Sequence, residues 1–239
     1  MSSSSFSRIG IIGAMPQEVA RLIEHLQDRQ EVQVAGATFY SGRLEGVDVV
    51  VLQSGIGKVN VAVSTAILME RFNPDCIINT GSAGGFEAHL QIGDVVISSE
   101  VRHHDVDVTA FGYELGQVPG MPAAYLPNPR LVEAARTSIE SLGGLRVFEG
   151  LICTSDSFMS DPTRVDTVRK QFPKMMAAEM EAAAIAQTCH LYGCPFVIIR
   201  ALSDIAGQHA EQSFEQFIKQ AGEHSARMVI AMVARLSKN

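Results

Sequence analysis

A small set of residues in this chain combines chemical capacity with spacing that demands an explanation. Arg200-Ala201-Leu202-Ser203-Asp204 follows an almost wholly apolar run from 195 to 199. A buried charge is costly unless it is paired or working, so an arginine and an aspartate at the end of such a run need partners or a task. A structural ion pair or a helix cap is the alternative to a catalytic site. Glu179-Met180-Glu181 places two carboxylates one residue apart where a strand passes into a helix. They point to the same side if the backbone there is extended, although acidic residues also simply favour helix N-termini. Glu18 stands in the first helix just after the first strand, where a surface glutamate is the ordinary reading. Two glycine-rich segments complete the set. Thr80-Gly81-Ser82-Ala83-Gly84-Gly85 follows an apolar strand, and ligands of α/β sheets bind at the carboxyl ends of strands. Its glycines let the backbone come close to a small ligand. Gly55-Ile56-Gly57-Lys58 opens a helix as a tight turn or as a ligand-facing loop. It is not a dinucleotide fingerprint, because Asn60 stands where the third glycine belongs, and it is not a P-loop.

Other chemistries find no support. His103-His104-Asp105 with Asp107 lacks the spacing of a metal site, and no metal or organic cofactor is expected. There is no G-x-S-x-G elbow for a serine hydrolase. Cys76, Cys153, Cys189 and Cys194 form no C-x-x-C pair and read as buried small hydrophobes. The formal net charge of −7 offers no footprint for nucleic acid. No apolar run approaches the roughly 18 residues that span a membrane, and no secretory signal is evident. The expectation is a cytoplasmic enzyme with a small-molecule substrate.

The elements that must position these residues alternate. Strands are expected over 8–14, 32–37, 38–44, 47–53, 76–80, 94–101, 146–153, 176–179 and 195–202. Helices are expected over 16–28, 58–72, 128–141 and 161–172, from the Glu179-Glu181 junction to 192, and over 211–236. This alternation, with 46% apolar residues, predicts an α/β fold, a three-layer α/β/α sandwich with a central mixed twisted sheet. Residues 1–7 read as a disordered serine-rich extension and 8–239 as a single domain. The segment 103–127, rich in Gly and Pro, is long for a loop inside a compact domain, which marks it as functional or as part of an interface.

Taken in order, the motifs resemble those of the 5'-methylthioadenosine/S-adenosylhomocysteine nucleosidases, members of the purine nucleoside phosphorylase-like superfamily. The markers run from Ile9-Gly10-Ile11-Ile12-Gly13-Ala14-Met15 with Glu18, through Ser54-Gly55-Ile56-Gly57-Lys58 and Asn79-Thr80-Gly81-Ser82-Ala83-Gly84-Gly85. Asp107-Val108-Thr109-Ala110-Phe111-Gly112-Tyr113, Glu179-Met180-Glu181-Ala182 and Arg200-Ala201-Leu202-Ser203-Asp204 follow. The resemblance covers nearly the whole chain. It implies a nucleoside phosphorylase-like fold and hydrolysis of an N-glycosidic bond, with release of adenine from a thio-substituted ribose.

The same resemblance implies roles. Asp204 would be the general acid for the purine and Glu18 the base that activates water, with Ser82 and Arg200 helping to hold that water. Glu181 would grip the ribose hydroxyls, with Met180 beside the ribose and Gly84 in the substrate-facing turn. Phe158 would stack on adenine next to backbone groups of Met159. Met15, Ile56 and Phe214 would form the apolar pocket for the thioalkyl group. Val108, Phe111, Tyr113 and Pro119 would come across a homodimer interface to complete the partner's site. Phosphorylases of the superfamily carry an arginine where this chain has Asn79. Together with the negative charge of Glu18, that favours water over phosphate. A phosphorylase that needs phosphate, and a nucleoside-binding protein without activity, are the competing readings. The second is expected to lack Glu18 or Asp204.

Overall fold

The computed structural model describes residues 6–237. Its elements alternate along most of the chain: β1 (Arg8–Gly13), α1 (Pro16–Glu24), β2 (Gln27–Val34), β3 (Ala37–Leu44), β4 (Val47–Gln53), α2 (Lys58–Phe72), β5 (Cys76–Gly85), β6 (Val95–His103), α3 (Pro129–Leu142), β7 (Val147–Thr154), α4 (Pro162–Gln171), β8 (Met175–Glu179), α5 (Ala182–Tyr192), β9 (Phe196–Ile205) and α6 (Ala210–Leu236). The strands form one mixed sheet in the order β2-β3-β4-β1-β5-β8-β7-β6-β9. β9 pairs with β5 as well as β6, so β5, β8, β7, β6 and β9 close on themselves while β2, β3, β4 and β1 stay open.

The sheet separates two cores. On one face Val61 and Leu68 of α2 and Ala183, Ile185 and Ala186 of α5 pack on Ile12, Ile77 and Ile198. On the other, Val19 and Leu22 of α1, Leu131 and Ala135 of α3, and Met228, Val229 and Met232 of α6 pack on Ile9, Ile11, Ile78 and Val197. Central parallel strands are covered on both sides, which is why β1, β5 and β9 read as continuous apolar runs rather than alternating ones. Helix starts follow local chemistry. Asn128 caps α3 and Asp161 caps α4, each with proline in the first turn. Among the described residues no helix is long and apolar enough to cross a membrane.

Several boundaries differ from the sequence reading. The first helix ends at Glu24, and Gln27 already pairs with Arg43. The expected helix to residue 28 lacked any signal for this exposed edge strand, whose residues through Gln33 are all exposed. The glycine-rich segment after residue 80 is not a turn. It continues β5 to Gly85, hydrogen-bonded to β9 and β8. β9 likewise runs to Ile205 and carries Arg200 and Asp204 within it. Of the expected disordered extension, residues 1–5 lie outside the described residues. Phe6 packs against the second core beneath the Arg130 guanidinium, and the Ser7 N–H donates to Asp75.

Candidate active site

The carboxyl-terminal ends of β1, β5, β8 and β9 open into a cleft of about 190 Å³. Met15, Glu18, Ile56, Ser82 and Gly84 line it together with Phe158, Met180, Glu181, Asp204 and Phe214. Met159 lies in a smaller adjoining recess of about 30 Å³ behind Phe158. Residues that are far apart in sequence thus meet because the parallel strands β1, β5 and β9 deliver their ends to one edge of the sheet, where the end of β8 meets β5 antiparallel.

Glu18 is 1% exposed, against the surface position that α1 suggests for it in isolation. Pro16 starts the helix and turns Glu18 inward. Its Oε2 accepts from the N–H groups of Ala14 and Met15 at 2.8 and 3.1 Å. Its Oε1 accepts from the Ser82 N–H at 2.9 Å and Oγ at 3.1 Å. Gly81 makes this approach possible, since a Cβ there would lie 2.6 Å from Glu18 Oε1 and 2.5 Å from an Arg200 terminal nitrogen.

Arg200 does not line the cleft. It lies behind the wall, 1% exposed, and Nη2 donates to Glu179 Oε2 at 2.5 Å and to Asn79 Oδ1 at 2.8 Å. Glu181 Oε2 is 3.6 Å from the same nitrogen. Glu179 is the residue the sequence left without a role. Besides Arg200 it accepts from Thr154 Oγ1 and from the N–H groups of Glu181 and Ala182, so it caps α5 and holds the backbone of Glu181. The Glu-x-Glu spacing was visible, but the strand opposite it was not. Asn79 also donates to the Ile12 carbonyl at 2.9 Å, so both ends of its amide are engaged.

Asp204 has different surroundings. It is 3% exposed, the only hydrogen bond to its carboxyl group among the described residues comes from Ser203 Oγ at 2.8 Å, and burial pushes that carboxyl up to about 6. Gly84 leaves room for it, because a Cβ there would meet Asp204 Oδ2 at 2.8 Å. Glu181 is also driven upward, to about 8, first by burial and then by the charge of Glu179. The Gly57 N–H, which donates to its Oε1 at 2.8 Å, and Arg200 oppose this. Of the four buried carboxyl groups, only Glu179 and Glu181 lie within 4.0 Å of the one buried guanidinium.

Phe158 and Phe214 meet edge to face at the mouth, ring centroids 5.7 Å apart. The Met159 carbonyl accepts from Gly207 N–H at 3.2 Å, tying this wall to the loop before α6. Val108, Phe111, Tyr113 and Pro119 are not brought to this cleft. They lie on the long segment after β6, where Phe111 is 80% exposed. The His103-His104-Asp105 run diverges. His103 faces Gln187, His104 packs near Phe172, and Asp105 pairs with Lys58.

Residues 8–234 match the phosphorylase superfamily. A 5'-methylthioadenosine/S-adenosylhomocysteine nucleosidase of Chromohalobacter salexigens is 67% identical over 96% of this chain and 97% of its own length. The crystal structure of a nucleosidase of the same name from Colwellia psychrerythraea, in complex with adenine, superposes with a TM-score of 0.94 at 52% identity, covering 98% of this chain and 96% of that one. The one from Neisseria meningitidis, in complex with methylthio-immucillin-A, also gives 0.94, at 48% identity over 96% of this chain and 99% of that one.

Proposed function

This chain belongs to the 5'-methylthioadenosine/S-adenosylhomocysteine nucleosidase family, within the phosphorylase superfamily, and from that premise we propose that it hydrolyses the N-glycosidic bond of both nucleosides, releasing adenine and the thioribose product. Asp204 protonates the five-membered ring of the purine as the C–N bond breaks and the electron pair leaves with the base. A general acid needs its proton near neutral pH, and burial beside a single donor supplies that condition. The ribose passes through an oxocarbenium-like state, and water adds from the opposite face. Glu18 takes the proton of that water, and Ser82 orients the carboxylate through two hydrogen bonds.

Arg200 acts from behind the wall in this reading. It neutralises Glu179 and steadies Glu181, which receives the ribose hydroxyls. Those hydroxyls are donors, so substrate draws Glu181 toward its ionised form, against the burial that raises it. Phe158 and the backbone at Met159 take adenine, Met180 sits against the ribose, and Met15, Ile56 and Phe214 take the thioalkyl group. Val108, Phe111, Tyr113 and Pro119 complete the site of a second copy, so the working form is a homodimer. The compartment is the cytoplasm.

The observation that carries hydrolysis over phosphorolysis is the engagement of Arg200. The buried guanidinium is held by Glu179 and Asn79, and the cleft itself presents carboxylates, so an incoming phosphate meets repulsion and no free cation among the described lining residues. The deciding measurement is adenine release from methylthioadenosine in phosphate-free buffer and again with phosphate added. Equal release with free methylthioribose as product is expected. Release that needs phosphate would make the enzyme a phosphorylase.

A further inference from the structure

Helix α2 has no cap of its own. Gly57 stands at its N-cap position without a side chain, and its first turn holds no acidic residue. The first amides of a helix have no partner inside it, so acceptors must come from elsewhere. Here they come from two other segments. The Gly57 N–H donates to Glu181 Oε1 and the Lys58 N–H to Asp156 Oδ1, both at 2.8 Å. Asp156 therefore does for α2 what a local N-cap residue does, from 98 positions away.

Asp156 is itself held. Its N–H donates to Asp105 Oδ2 at 3.2 Å, and Asp105 accepts from Lys58 Nζ with both oxygens, at 2.7 and 2.8 Å. Lys58, Asp105 and Asp156 thus close a ring at the rim of the cleft. There is little slack in it. Gly57 has φ of 97°, a backbone that side chains rarely adopt, and a Cβ there would stand 3.1 Å from Asp156 Oδ1. The ring ties the turn that carries Ile56 to the segment that carries Phe158, two residues beyond Asp156.

We propose that Asp156 is a positioning residue for Glu181: by fixing the Lys58 amide it aims the neighbouring Gly57 amide at Glu181 Oε1, and the Lys58–Asp105 pair holds Asp156 in place. This rests on the reading of Glu181 as the group that receives the ribose hydroxyls. Asp156 is not among the residues lining the cleft. Its effect reaches the reaction only through the direction in which Glu181 points, and small displacements of a positioning group are enough to slow a reaction by about tenfold or more.

The experiment compares adenine release from methylthioadenosine and from its 3'-deoxy analogue, which lacks one ribose hydroxyl. The wild type is expected to prefer the complete ribose, and Glu181→Gln sets the scale by removing that preference. Asp156→Ala is expected to cut the preference by about tenfold, lowering kcat/KM for methylthioadenosine and leaving the 3'-deoxy analogue nearly unchanged. Asp156→Asn keeps an oxygen for the Lys58 amide and is expected to retain most of the preference. Lys58→Met, which spares Asp156, is expected to fall between them and keeps the test open if Asp156→Ala does not fold. If the alanine variant loses equally on both substrates, or keeps the full preference while Glu181→Gln abolishes it, the positioning role is overturned and the reading of Glu181 stands. If Glu181→Gln leaves the preference intact, the ribose role of Glu181 falls and the positioning role falls with it.

Discussion

The two ends of the cleft hold the same functional group in opposite surroundings. At one end Glu18 collects four donors, from Ala14, Met15 and Ser82. At the other, Asp204 has a single hydroxyl from Ser203 and is pushed up to about 6 by burial. Burial is nearly equal, 1% and 3% exposed, so depth does not separate them. The supply of donors does. Donors aimed at a carboxylate favour an acceptor, and burial with few donors favours an acid. One cleft can therefore hold two carboxyl groups suited to opposite roles.

The contrast can be broken most severely at the acid. Asp204→Asn is expected to lower kcat/KM for adenine release by roughly 10²–10⁴-fold, the usual worth of a general acid. In the wild type kcat/KM is expected to fall about tenfold per pH unit above pH about 6, as the free enzyme loses that proton. Unchanged turnover in the variant would remove Asp204 from its role.

Next in size is the charge pair buried behind the wall of the cleft. Arg200→Met leaves Glu179 buried without its partner, and a loss of about 3–5 kcal/mol in urea unfolding is expected. Adding Glu179→Gln to the same chain is expected to recover part of it. A pair of variants whose losses simply add would show that the two groups are not coupled.

The third effect is a gain. The ordinary value for Asp204 is 3.8 and its folded value is about 6. A folded value above the unfolded one favours the protonated native state. The associated stability is fully present below about 4 and is lost as pH rises to about 6. Asp204→Asn removes that dependence, so the variant is expected to be more stable than the wild type by about 2–3 kcal/mol at pH 8, and by progressively less toward pH 4. Parallel denaturation curves across this range would show whether burial of the acid carries the cost assigned to it.

The smallest effect is geometric. Gly84→Ala places a Cβ 2.8 Å from Asp204 Oδ2, so one of them must shift. About a tenfold loss in kcat is expected, of the size that displacement of a reacting group produces, with unfolding little changed. A normal kcat would mean that Asp204 tolerates the shift.

Much of this molecule was determined by local sequence. The apolar runs of β1, β5 and β9, the exact span of α2 from Lys58 to Phe72, and the proline starts of α1, α3 and α4 follow from periodicity and capping. The motifs at Glu18, Glu179-Glu181 and Arg200-Asp204 marked residues that the fold gathers at one cleft and its wall. Tertiary structure decided what those residues became. Only the pairing of β5 with β9 turns Thr80–Gly85 from an apparent turn into a strand that receives Glu18 and Asp204 against its glycines. Only the meeting of β7, β8 and β9 gives Glu179 its place between Thr154 and Arg200. Only long-range capping links Asp156 to α2. Propensity and capping act over a few residues and can be read along the chain. Burial, charge partners and steric room at the site depend on segments up to a hundred or more positions apart, which meet only when the sheet forms.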